Sequence, residues 1–399
     1  MAGLADGIKI VAVEAFVALP AATAIWGDWG AEVIKVEPLT GDPWRGFMGT
    51  GIFPFKLETS DIFDMDNRNK KSVALDLKTK EGKKILRQLI EGADIFCTNY
   101  APDTLPKLSI DYESVSKVNP QIIYVNVNGY GETGPDKDLP GFDWTAYWSR
   151  SGIMMTVGDP GAPVRPRAGI GDHPTSMYVA GAMAAALLCR ERTGIAQQVA
   201  VSLLHCGMWT LGCDLSAALA SGQDIPRVSR NESLNPLAIP YQTKDEKWLF
   251  LVMLQSDAFW PQTCRALGKE ELINDPRFAN SDLRGRNGRA LIAIFEKVFA
   301  TKTREEWAQL FKEHGVIFGL IHTCAEVVRD PQASEFIAVV DHPTRGKVRM
   351  IASPGQFSKT PSHIEAYAPE VGQHTEEILL ELGYDWEEIV TLKDKRIIL

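Results

Sequence analysis

The chain has 399 residues, 45% of them hydrophobic and 23% charged, with a formal net charge of −9. That length holds two or three domains with substantial cores, and the balance is that of an ordinary globular protein. The acidic total argues against a nucleic-acid or anionic-membrane binder, so a phosphate-bearing ligand needs a local basic site.

The opening "MAGLADGIKIVAVEAF" carries an early acid and no cleavage pattern, which predicts no signal segment. Residues 8–15 ("IKIVAVEA") read as a buried strand, 21–30 as a helix and 32–37 ("EVIKVE") as the next strand. Residues 72–77 ("SVALDL") precede a helix with Ile85, Leu86, Leu89, Ile90 and Ala93 on one face, and 94–99 and 121–129 are further strands. This alternation implies βαβ units and a mostly parallel sheet. The apolar run 177–189 is too short to span a bilayer and reads as a buried helix.

A polar, proline-punctuated stretch over 215–240 reads as a linker. Residues 241–254 then suggest a hairpin turning at 244–247, and helices follow near 256–268, 290–301 and 303–315, the last opened by the Thr303/Glu306 capping box. Residues 226–325 therefore form a smaller α/β unit. Short strands and turns come after it, and "HTEEILLELG" reads as the terminal helix.

Cys97, Cys189, Cys206, Cys213, Cys264 and Cys324 are scattered without CxxC spacing, and the seven histidines form no HxxxH or HExxH pair. Reduced thiols in a cytoplasm are expected, with no metal. The first βα turn lacks GxGxxG and no GxSxG occurs, which weighs against a dinucleotide enzyme and a serine hydrolase. Lys80, Lys83 and Lys84 suit a solvated helix face, whereas Lys70, Lys71 and Lys78 flank a strand, where a phosphate group could sit. Asp172, in "GIGDHPTS", has two readings. It is a favoured helix cap, and the same helix N-terminus would keep a nucleophilic carboxylate ionised. Local sequence leaves both open.

The segments "VEAFVALPAATAIWGDWGAEVIKVEPLTGDPWRG", "NRNKKSVALDLKTKEGKKIL", "NGYGETGPDKDLPGFDWTAYWSRSG" and "GIGDHPTSMYVAGAMAAALLCRERTG", with "DPRF", "DPQA" and "HTEEILLELGY", resemble the family III CoA-transferases almost end to end. The third and fourth are most similar to the branch acting on phenyllactate and 2-hydroxyisocaproate. The resemblance implies a Rossmann-like large domain (1–215, completed by 330–399), the small α/β domain, and an interlocked dimer, homomeric or heteromeric. It implies Asp172 as nucleophile, through an aspartyl anhydride and an aspartyl-CoA thioester, with Asp143 ordering it through hydrogen bonds. CoA thioesters are then substrates, and no cofactor is held permanently. By the same resemblance, Val17 and Ala18 contact CoA through the backbone; Leu75, Asp76, Leu77 and Lys78 lie on the adenosine side; and Asn99, Tyr100 and Ala101 line the pantetheine channel. Lys107 stands near the phosphates, and Phe142 beside the catalytic carboxylate.

Departures narrow the substrate. Val17 and Leu19 stand where formyl-CoA transferases have glutamine and glycine, Pro38 replaces a basic residue, and "SRNESLNPL" replaces their glycine run, which argues against oxalate or formate. The alternatives are a benzylsuccinate- or carnitine-type acceptor, a 2-methylacyl-CoA racemase, and a non-catalytic CoA-binding subunit. Racemases use a His–Asp pair in "GHD"; here the site reads "GFD", and Phe142 cannot carry a proton. His173 and His205 read as structural.

Overall fold

The computed structural model describes residues 3–49 and 59–399, in two units: 1–155, 164–224 and 336–399, and 156–163 with 225–335. The first unit is built on six parallel strands: β1 (Lys9–Val13), β2 (Glu32–Glu37), β3 (Lys70–Ala74), β4 (Ile95–Thr98), β5 (Ile123–Asn128) and β6 (Gln198–Ser202). Their spatial order is β3-β2-β1-β4-β5-β6, that of doubly wound nucleotide-binding sheets. The α/β expectation with a parallel sheet therefore holds.

Alternation along β1 explains the layering. Ile10 and Ala12 enter one core and Val11 and Val13 the other, so helices are needed on both faces. The first core takes α1 (Ala18–Asp28), whose residues are all buried. After α2 (Asp61–Asn67), the second core takes α3 (Lys80–Glu91), where the Thr79 hydroxyl accepts the Gly82 N–H at 3.0 Å as N-cap. The short α4 (Leu105–Leu108) and α5 (Tyr112–Val118) lie on that face too. On the first face, α6 (Asp172–Thr193) ends at Gly194 in the left-handed region (φ 73°). Next come α7 (Leu203–Thr210) and α8 (Gly212–Ser221), the latter reaching into the stretch that composition suggested was a linker.

Only one face of α6 is buried within the chain, through Val179, Ala180, Met183 and Ala186; Leu188 is 56% exposed. This corrects the expectation of a buried helix. The small residues allow close packing against α1 on one side, while the other side has no partner among the described residues.

The second unit pairs β7 (Pro240–Gln242), β8 (Trp248–Leu251) and β9 (Phe318–Ile321) antiparallel. Around an aromatic core of Tyr241, Trp260, Phe295, Phe299, Trp307 and Phe311 lie α9 (Ser256–Ala266), α10 (Ser281–Arg286), α11 (Gly288–Phe299) and α12 (Arg304–His314). The Thr303/Glu306 capping box opens α12. The short α13 (Cys324–Val327) and α14 (Pro331–Ser334) close the unit.

The chain then returns to the first unit through the hairpin of β10 (Ile337–His342) and β11 (Gly346–Ile351), followed by α15 (Thr375–Glu381) and α16 (Trp386–Asp394). The last helix is thus α16, one beyond the predicted terminal helix. This segment seals the outer edge of β3. Ser72 N–H donates to His374 Nδ1 at 3.1 Å and Ala74 N–H to Thr375 Oγ1 at 3.1 Å. Asp76 N–H donates to the Ile397 carbonyl at 2.9 Å, and Leu75 bridges Ile398.

Candidate active site at the switch point

The winding of the sheet reverses between β1 and β4, and open α/β sheets bind ligands outside the carboxyl ends of such strands. Here the β1 and β4 ends are tied together reciprocally: Asn99 Oδ1 accepts the Ala15 N–H at 3.0 Å, and Asn99 Nδ2 donates to the Ala15 carbonyl at 2.7 Å. Phe16 follows with a positive φ of 66°, costly for a residue with a Cβ. Asp42 compensates by accepting the Phe16 N–H at 3.1 Å. The turn delivers Val17 as the first flank of α1, where no side chain caps the free N–H groups.

Beneath that turn lies a buried ionic network. Lys35 Nζ is 2.8 Å from Asp42 Oδ2 and 3.7 Å from Glu14 Oε1, and Lys70 Nζ is 2.8 Å from the same Glu14 oxygen. Burial pulls Lys70 down to about 8, against the charge of Glu14. Lys70 is therefore a structural cation, which corrects its reading as a phosphate ligand. Lys71 is also engaged, by Glu377 at 2.8 Å.

Asp172 is the first helical residue of α6. Gly171 occupies the cap position, and no side chain caps the helix. The capping expectation is corrected: Asp172 lies inside the helix rather than at its cap. The buried Asp143 carboxylate accepts the N–H of Gly169 at 2.8 Å and of Gly171 at 3.0 Å, fixing the loop that leads into the helix. Asp143 thus orders the approach to Asp172 through the backbone. No hydrogen bond between the two carboxylates is formed. Burial lifts Asp143 to about 6 despite both N–H bonds.

The Asp172 carboxylate has no hydrogen-bond donor among the described residues. Burial, then the charges of Asp143 and Asp66, raise its pKa to about 7, while His173 opposes the shift. The His173 ring places Nδ1 3.0 Å from the Gly169 carbonyl and Nε2 3.0 Å from Asp66 Oδ1. Burial disfavours a charged ring, yet the hydrogen bond and charge of Asp66, the charge of Asp172 and the Gly169 carbonyl outweigh it, so its pKa is raised.

Phe142, 54% exposed, meets Phe16 edge-on with ring centroids 5.9 Å apart. Phe16 in turn meets Phe47 at 6.3 Å. The structure therefore brings Val17, Ala18, Asn99, Tyr100, Phe142, Asp143 and Asp172 to the carboxyl end of one sheet, on loops linked by Asn99, Phe16 and Asp143.

The other sequence-predicted residues form a second group. Leu75 and Leu77 are core side chains that could offer a ligand only their backbone. Asp76 Oδ1 accepts the Lys78 N–H at 3.0 Å in the turn before α3, leaving the Lys78 side chain exposed. Lys107 is paired with Asp103 at 2.9 Å, and its carbonyl accepts from Lys83 Nζ at 2.7 Å. Ala101 is exposed at the end of β4.

Sequence reasoning missed Phe16, Asp42 and Asp66. Asp66 lies more than a hundred positions from His173, inside a segment dominated by its basic residues, and no local pattern joins them.

The CoA-transferase family III model matches residues 5–375. The cinnamoyl-CoA:phenyllactate CoA-transferase of Clostridium sporogenes is 35% identical, covering 98% of this chain and 97% of that protein. The (R)-2-hydroxy-4-methylpentanoate CoA-transferase of Clostridioides difficile is also 35% identical, over 99% of both chains. The crystal structure of a CAIB/BAIF family protein from Brucella suis superposes with a TM-score of 0.84 at 29% identity, covering 96% of this chain and 100% of that one. With a parallel Rossmann-ordered sheet and nearly full-length matches, the chain belongs to CoA-transferase family III.

Proposed function

We propose that the protein transfers CoA from an acyl-CoA donor to a 2-hydroxy acid bearing an aromatic or branched side chain, with Asp172 as the nucleophile. The observation carrying this is the unengaged Asp172 carboxylate at the start of α6, facing like charges and a single favourable cation. Its oxygen attacks the thioester carbonyl. A C–O bond forms, the C–S bond breaks, and CoA leaves as thiolate with the electron pair. Thiolate attack on the aspartyl carbonyl then releases the donor carboxylate and leaves an enzyme thioester. The acceptor carboxylate displaces thiolate to form a second anhydride, and thiolate attack on its acyl carbon yields the new acyl-CoA and free Asp172. One thioester replaces another, so the net reaction needs no ATP.

In this reading Val17 and Ala18 offer backbone N–H groups, Asn99, Tyr100 and Ala101 line the pantetheine path, and the 75–78 turn with Lys78 and Lys107 takes the nucleotide end. Asp143 holds the Gly169–Gly171 backbone that aims Asp172. The aromatic wall of Phe16, Phe47 and Phe142 fits an acyl chain larger than formate or oxalate. The similarity to enzymes named for phenyllactate and 2-hydroxy-4-methylpentanoate supports the acid class.

The working form is a dimer in the cytoplasm. Trp209 (73% exposed) and Leu219 (88%) on α7 and α8 join Leu188 as large apolar side chains without cover in one chain. Cys97, Cys206 and Cys264 are buried free thiols, as suits a reducing compartment.

Intact-protein mass spectrometry after incubation with cinnamoyl-CoA and branched acyl-CoAs is expected to show a CoA-sized adduct that Asp172→Ala abolishes. Competition among phenyllactate, 2-hydroxyisocaproate, benzylsuccinate and carnitine is expected to favour the first two. CoA binding without any adduct would turn the assignment to a non-catalytic subunit.

A further inference from the structure

A neutral imidazole has one N–H and one lone pair. At His173 both ring nitrogens face acceptors at 3.0 Å: the Gly169 carbonyl at Nδ1 and the Asp66 carboxylate at Nε2. Whichever tautomer the neutral ring took, one contact would set a lone pair against an oxygen. The imidazolium satisfies both. The cation also has a fixed counter-ion, because the Asp66 side chain is buried on α2 and its own carbonyl accepts from Lys70 Nζ at 2.8 Å.

We infer that His173 is a positioning residue for the transfer reaction, a cation locked between Asp66 and the Gly169 carbonyl that holds the neighbouring Asp172 carboxylate ionised. The inference rests on Asp172 being the nucleophile. It assigns His173 no proton transfer, since neither N–H is free to reach a substrate. The charged groups around the pair come from three directions: Asp143 beside the Gly169–Gly171 loop, Asp66 on α2 with Lys70 behind it, and Asp172 itself. Two of the three carboxylates, Asp143 and Asp66, push Asp172 toward protonation. The ring is the opposing charge, and it is fixed to the same glycine whose N–H is held by Asp143. Electrostatics and loop geometry are thereby set by one side chain.

The test is the pH profile of kcat/KM for His173→Gln, run beside Asp172→Ala in the adduct assay. Loss of the ring charge is expected to move the acidic limb up by about one pH unit, a roughly tenfold loss near pH 6 that is recovered by pH 9. An unmoved limb, or a uniform loss at every pH, would overturn the inference while leaving Asp172 as nucleophile. An adduct persisting in Asp172→Ala would instead overturn the parent reading. A second measurement does not depend on that variant folding. Nitrogen chemical shifts of the wild-type histidines should show one ring protonated at both nitrogens at pH 7, titrating above 6.5. If every ring is singly protonated at that pH, the inference fails.

Discussion

On the proposed mechanism Asp172 has to be charged to attack a thioester, and the place where it sits resists charge. With its pKa near 7 in the folded chain against about 4 when unfolded, the ionised side chain destabilises the protein. Asp172→Asn is therefore expected to abolish transfer and to stabilise the fold by about 1–4 kcal/mol above pH 7. The sign follows from the raised acid pKa. The gain is full where both states of Asp172 are ionised, shrinks as pH falls through 7, and vanishes below about 4. Denaturant melts of both proteins at pH 8, 6 and 4 would check it, and an equal difference at all three would contradict it. At this scale, family resemblance singled out Asp172 and Asp143 and implied that Asp143 orders its neighbour through hydrogen bonds. It did not give the partners: Asp143 grips the backbone N–H groups of Gly169 and Gly171 in the loop before Asp172. Such a contact joins 143 to 169 and 171 through space and leaves no periodic trace.

At the scale of elements, the approach to α6 depends on Gly171 having no side chain. A Cβ there would collide with Asp143 Oδ1 and the Tyr147 ring, both on the π-helical segment Asp143–Arg150. Overpacking of this kind costs about 1–3 kcal/mol. Gly171→Ala is thus expected to lower the melting temperature and cut kcat at least tenfold, with little change in CoA-thioester KM. A variant with normal kcat would show that the packing is not needed for the aim of Asp172. The strands were largely legible: 32–37 matches β2 in full, and the β1, β4 and β5 runs were caught within two residues at each end, because buried parallel strands are continuous apolar runs. The burial of α6 was not legible. An alanine-rich helix looks the same in sequence whether its second face meets its own chain or another.

For the whole molecule, the exposed apolar residues of α6, α7 and α8 bear on assembly. Sedimentation equilibrium of the wild-type protein is expected to give twice the chain mass of 44.0 kDa, and Trp209→Glu with Leu219→Glu to weaken that association. A wild-type monomer would refute the dimer. Composition put the small unit at 226–325, and the structure divides the chain at 225 and 335, with 156–163 added. That added piece comes from far upstream, and no composition shift marks it.

The C-terminal seal on β3 bears on how the protein is made. Leu75 waits for Ile398, about 320 residues later, to close its edge. Ribosomes add roughly 5–20 residues per second, so the wait is on the order of 16–65 s. During that interval the nascent chain presents an unpaired strand able to join a neighbour on the same polysome. Premature termination before His374 would leave that edge open permanently. The damage would come from misassembly of the truncated chain, even though every residue around Asp172 had been translated.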